Sequence, residues 1–244
     1  MSSKEVLKMA EIFLKNKQSG SKRKLHVGVM MNYKTLNGIP SKWENAFPKK
    51  EEVSSIFLGH PSIFNVLHYA DYEGVDVLEN LFKATDYAGN HLNGLQLDMI
   101  WPEVDVLKEY RKKYPLIKII LQGNTEAFKL VGNDIDVFVQ RVKEYKYSVD
   151  YILLDKSMGR GLNMDAQDLI PIAKSIHENI SYIGIVVAGG LGPNTLNLVE
   201  PLAKEFPKIS IDAQGKLRPS GNALDPIDWN MAGDYLAKAL KLLK

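Results

Sequence analysis

Seven short apolar runs recur along this chain, at 25–31, 62–69, 94–98, 117–122, 151–155, 182–188 and 208–213, and longer helix-patterned stretches separate them. Several are almost unbroken in Ile, Val and Leu, as strands buried on both faces must be. Helix-like periodicity falls at 75–87, 103–114, 135–145, 165–178, 195–205 and 226–243. Pro102 and Pro115 bracket the second of these, since proline is tolerated at a helix start and cannot continue one. Strand followed by helix, repeated, predicts parallel strands joined by right-handed crossovers. A single TIM barrel of the (β/α)8 type follows, with an irregular first β/α unit allowed. An open doubly wound sheet stays the alternative, because seven strands would suffice for it.

The length of 244 residues is near that of one closed β/α barrel, so one domain over 1–244 is expected. Its N-terminal part, 1–20, reads as an amphipathic helix with Val6, Met9, Phe13 and Leu14 on one side. Lys4, Glu5, Lys8 and Glu11 interrupt it, which a signal peptide would not allow. The segment 33–61 is long, proline-punctuated and poorly periodic, with one short helix at 49–58. It reads as an irregular insertion, a hidden strand or a lid over the barrel mouth.

With no cysteine, disulfides, thiolate nucleophiles and cysteine metal sites are excluded, and the reducing cytoplasm is the expected compartment. No run approaches 18 apolar residues, so no membrane span is expected. A net charge of +2, with the basic run Lys22-Arg23-Lys24 lacking interleaved aromatics, gives no nucleic-acid surface. The five histidines show no metal-ligand spacing, so neither a metal nor another cofactor is expected. His26 and His68 read as packed strand residues. Association with further copies of the chain is left open.

Barrel chemistry sits at the C-terminal ends of the strands. Those ends hold Asn32, Gln96, Asp98, Gln122, Asp155 and Asp212. Side chains alternate along a strand, so Gln96 shares a face with Asp98, and Tyr151 and Leu153 share one with Asp155. These polar ends are candidates for a site; the plain alternative is that they cap the next helix. Lys156 points away from Asp155, and Lys118 lies at the structural end of its strand, which speaks against a Schiff-base lysine.

Two turns carry a sharper signal. Ala188-Gly189-Gly190-Leu191-Gly192-Pro193-Asn194-Thr195 follows one strand, and Asp212-Ala213-Gln214-Gly215-Lys216 follows the last. Glycine lets backbone approach a ligand, and free N–H groups at such turns bind anions. Adjacent turns after the final two strands are where barrels commonly hold phosphate, so Gly189, Gly190, Ala213, Gln214 and Gly215 are the phosphate candidates. A third glycine turn after Asp155 holds Arg160 and Gly161. It is either a flexible connection or a loop bringing the Arg160 guanidinium to an anionic substrate.

Together these stretches resemble phosphoribosylanthranilate isomerase, of the ribulose-phosphate-binding barrels. Gly94-Leu95-Gln96-Leu97-Asp98 is similar to that family's strand ending Gln-Leu-His. Leu153-Leu154-Asp155 with Gly159-Arg160-Gly161 is similar to its Leu-Leu-Asp strand and glycine-rich loop. The turn at Gly189 is similar to Gly-Gly-Leu-x-Pro-x-Asn, and Ile211-Asp212-Ala213-Gln214-Gly215 to a final Asp-x-Ser-Ser-Gly. The likeness runs from Gly94 to Leu243. It implies a phosphosugar ligand and isomerisation by proton transfer, with the family's general acid falling on Asp155. The family's base is a cysteine in a Lys-x-Cys-Gly first strand, where this chain has Val27, and its Ser-Pro-Arg motif is absent. Asp98, in place of the family's histidine, is the candidate replacement base. A non-catalytic phosphate-ligand-binding or regulatory barrel and another sugar-phosphate enzyme, an epimerase or a lyase, remain the rival readings.

Overall fold

The apolar runs form a single parallel sheet in chain order: β1 Leu25–Asn32, β2 Ile63–Asp71, β3 Gly94–Met99, β4 Lys118–Asn124, β5 Tyr151–Asp155, β6 Gly184–Val187 and β7 Ser210–Ile211. The structure is a computed structural model that describes residues 1–44, 46–155 and 166–243. The sheet curls into a TIM-barrel-like α/β fold, with helices packed on its convex face. Among the described residues no ladder joins β7 to β1. That seam is bridged by Arg23, just before β1, whose guanidinium donates to the carbonyls of Ile209 at 2.6 Å and Pro207 at 2.5 Å. Helices α1 Ser3–Asn16 and α10 Trp229–Leu242 pack together, the first and last helices of the described chain.

Parallel register fixes which side chains point inward. Gly28 pairs with Val66, His68 with Gln96, Gln122 with Leu153 and Leu153 with Val186. Val66, Ile120, Leu153, Val186 and Ala188 make a small inner cluster flanked by Phe64 and Tyr151. The Tyr151 ring lies across Gly184, where a Cβ would stand 2.3 Å from it. The larger core is the layer between sheet and helices, where Leu67, Leu81, Leu107 and Ile152 are fully enclosed. Each such side chain contributes ~1.5–3 kcal/mol on burial. Val27 belongs to this outer layer, so the inward residues of β1 are His26, Gly28, Met30 and Asn32. The position taken for the absent cysteine therefore faces the helices and not the interior.

The segment 33–61 holds helix α2 Tyr33–Leu36, a 3-10 turn Lys50–Glu52 and helix α3 Val53–Ile56, and its described residues include no strand. The remaining helices are α4 Val77–Ala88, α5 Val104–Lys113, α6 Thr125–Leu130, α7 Ile135–Glu144, α8 Ala166–Asn179 and α9 Glu200–Glu205. α6 goes beyond the sequence pattern; it starts because the Asn124 side chain accepts the Ala127 N–H at 3.0 Å. The stretch expected as one helix at 195–205 opens as a 3-10 turn and turns α only near Pro201. Among the described residues no helix is long and apolar enough to cross a membrane.

Candidate functional site

The C-terminal ends of the strands open on a cavity of about 660 Å³. Inward parity carries Asn32, Ala70 and Asp98 to its wall from β1–β3, and Asn124 and Asp155 from β4 and β5. Ser41, Lys42, Trp43 and Phe47 line it from the irregular segment, with the Trp43 and Phe47 rings stacked at 5.1 Å.

One wall is a chain of polar side chains centred on Asp98. Tyr72, in the loop after β2, donates its hydroxyl hydrogen to Asp98 Oδ1 at 2.5 Å, and Asn124 Nδ2 donates to the Tyr72 oxygen at 3.1 Å. His68 Nε2 stands 3.6 Å from Asp98 Oδ2, and Gln96 Nε2 lies 3.3 Å from His68 Nδ1. Burial pushes the Asp98 carboxyl up. His68, Tyr72 and Asn124, turned toward it, outweigh that and hold it below the usual carboxylate value. Burial and this carboxylate push the Tyr72 phenol well above its ordinary value, so Tyr72 remains a neutral donor. Deeper in the barrel, burial pushes His26 down, with Asp212 opposing and His68 reinforcing the shift.

The opposite wall is made by the two glycine turns. Gly189 and Gly190 have φ of 115° and 64°, a left-handed backbone that favours glycine. Thr195 ties the turn together: its Oγ1 accepts the Gly192 N–H at 2.8 Å and donates to the Gly190 carbonyl at 2.7 Å. Arg218 donates to the Gln214 carbonyl at 2.6 Å, and Lys238 to the Pro193 carbonyl at 3.1 Å, which fixes the second turn and anchors the first to α10. Among the described residues the N–H groups of Gly189, Gly190 and Gln214 meet no protein acceptor. Backbone donors left in this way at a cavity wall can hold an anion.

Most of the residues singled out from sequence lie on this cavity: Asn32, Gln96, Asp98, Gln122, Asp155, Gly189, Gly190, Ala213, Gln214 and Gly215 all line it. Arg160 and Gly161 lie outside the described residues. Asn32 also caps α2, accepting the Thr35 N–H at 2.8 Å. Asp155 is 8% exposed. Lys118 is paired with Asp150 at 2.8 Å, as its place at the far strand end suggested. Sequence reasoning passed over Tyr72, Asn124 and Lys216, and it treated His68 as packing. Register, which the sequence does not give, turns His68 inward: it shares a face with Ala70 and pairs with the inward Gln96.

No protein-family model matches the chain, and no curated protein matches it by sequence. Solved structures match its fold. N-(5'-phosphoribosyl)anthranilate isomerase from Pyrococcus furiosus superposes with a TM-score of 0.57 at 15% identity, over 96% of this chain and 93% of that one. TrpF from Jonesia denitrificans gives 0.52 at 14% identity, over 91% and 100%. Active domain 2 of a thermostable chitinase from Pyrococcus furiosus gives 0.55 at 10% identity, over 97% and 89%. The TIM-barrel-like fold is thus shared with all three of these proteins.

Proposed function

We propose that the chain binds a phosphorylated small molecule, a sugar phosphate, in the barrel mouth and acts on it by proton transfer. The carrying observation is the pair of adjoining turns whose Gly189, Gly190 and Gln214 N–H groups meet no protein acceptor among the described residues. The phosphate rests there, with Gly215 and Ala213 completing the cup, and the sugar extends toward Asp98 and Asp155. Asp155 is the general acid, because it is an inward, buried carboxyl at a strand end. The segment around Trp43 and Phe47 covers the outer side of the bound ligand.

A second reading, a binder without turnover, is favoured by one observation: the candidate base is held as a stable anion by its neighbours and so has little pull on a carbon-bound proton. Ribulose 5-phosphate incubated with the protein in D2O separates the two. Proton wash-out beside the carbonyl, seen by NMR, supports the enzyme; calorimetric binding without wash-out supports the binder. Absence of binding by inorganic phosphate and by ribulose 5-phosphate alike refutes both.

A further inference from the structure

Two hydrogen-bond acceptors stand side by side on the wall between β3 and β4. Register pairs Gln96 with Ile120 and Leu97 with Leu121, so the next positions, Asp98 and Gln122, are neighbours of the same inward parity. Both line the cavity. Gln122 is 7% exposed, and its Oε1 is buried with no hydrogen-bond partner among the described residues. A buried carbonyl left without a donor costs free energy, which a donor from a ligand would recover. Asp98 receives the Tyr72 hydroxyl and faces His68, but a carboxylate has about four lone-pair sites, so acceptor capacity remains toward the cavity.

We propose that Asp98 and Gln122 together accept hydrogen bonds from two adjacent hydroxyl groups of the ligand, with His68 and Tyr72 as positioning residues that hold Asp98. This rests on the reading of the mouth as a sugar-phosphate site, and it names the side chains that select the sugar. Neighbouring parallel strands lie about 4.8 Å apart, a separation that the hydrogens of a vicinal diol can bridge. Asp98 can only accept, and the unpartnered atom of Gln122 is its Oε1, so a ligand lacking one hydroxyl leaves an acceptor without a donor. Sites built in this way discriminate strongly against the deoxy analogue. The assignment moves Asp98 from base to binding group, in keeping with the three donors turned on it.

The test is calorimetric titration of ribose 5-phosphate, 2-deoxyribose 5-phosphate and inorganic phosphate. The unaltered protein should bind ribose 5-phosphate at least tenfold tighter than the deoxy sugar. Gln122→Met, nearly the same shape without the amide, should cut that preference below threefold and leave inorganic phosphate affinity within twofold. Asp98→Asn should do the same; if it folds poorly, Gln122→Met carries the test alone. His68→Gln should raise the pH at which the Asp98 carboxyl carbon titrates by NMR, which a purely structural role would not do. Equal affinity for the two sugars, with phosphate still bound, overturns the diol assignment and leaves the cup. Failure of all three compounds to bind overturns the sugar-phosphate reading and this assignment with it.

Discussion

Gly192, in the turn after β6, lies against Lys216, in the turn after β7, so closely that a Cβ on Gly192 would stand 2.7 Å from Lys216 Cβ and 2.8 Å from its carbonyl oxygen. The two turns are therefore one rigid unit. Gly192→Ala should force them apart, at about 1–3 kcal/mol as for other overpacked sites. Binding of inorganic phosphate should weaken tenfold or more. Chemical denaturation and calorimetry read the two effects separately; unchanged phosphate affinity in a destabilised variant would place the anion elsewhere.

Gly190→Asp should abolish phosphate binding while the barrel stays folded. The added carboxylate would stand among N–H donors and repel the anion. Gly190→Asn is the control, since Asn and Asp both tolerate the left-handed backbone found there, φ 64°. The Asn variant should keep measurable affinity; equal loss in both would show that shape, not charge, was at fault.

Asp155→Asn keeps size and most hydrogen bonds while removing the proton. Exchange into ribulose 5-phosphate should fall ~100-fold or more, the usual worth of a positioned acid, with affinity little changed. Exchange retained near the original rate would exclude Asp155 as the acid.

Tyr72→Phe should cost about 1–2 kcal/mol at pH 7, the worth of a hydrogen bond to a partly shielded charge. The sign of its pH dependence follows from Asp98. A carboxyl held below its ordinary value of 3.8 contributes stability above that pH and loses it as pH falls through the lower folded value. The deficit of the Phe variant should thus be full at pH 7 and fade below about pH 4. Urea unfolding at both pH values decides; a deficit independent of pH would mean that only packing was lost.

The strands were legible because a parallel sheet covered on both faces requires runs such as Tyr151-Ile152-Leu153-Leu154, and no other soluble element needs them so short. Parity was legible only where polar residues broke the run, as at Gln96 and Asp98. On β1 and β2 polar residues fall on both faces, His26 and His68 on one and Asn65 and Asp71 on the other, so sequence could not say that His68 looks inward or that Val27 looks outward. Tyr72 escaped notice for another reason: it lies one residue beyond β2, where periodicity has ended, and its role depends on Asp98, 26 residues away. The glycine turns were readable because their chemistry is local.

The unladdered side of the barrel, where Arg23 reaches Ile209 across 186 residues of chain, bears on how the molecule comes into being. Contacts so distant in sequence form late, after the entropy of a long loop has been overcome. During synthesis β1 emerges before β7, with one edge still bare, and bare edges invite pairing with other chains. Ribosome-bound intermediates ending before Trp229 would lack the helix that packs against Ser3–Asn16, so the hazard persists until that helix has been made. Chaperone demand should accordingly last until Trp229–Leu242 has been made.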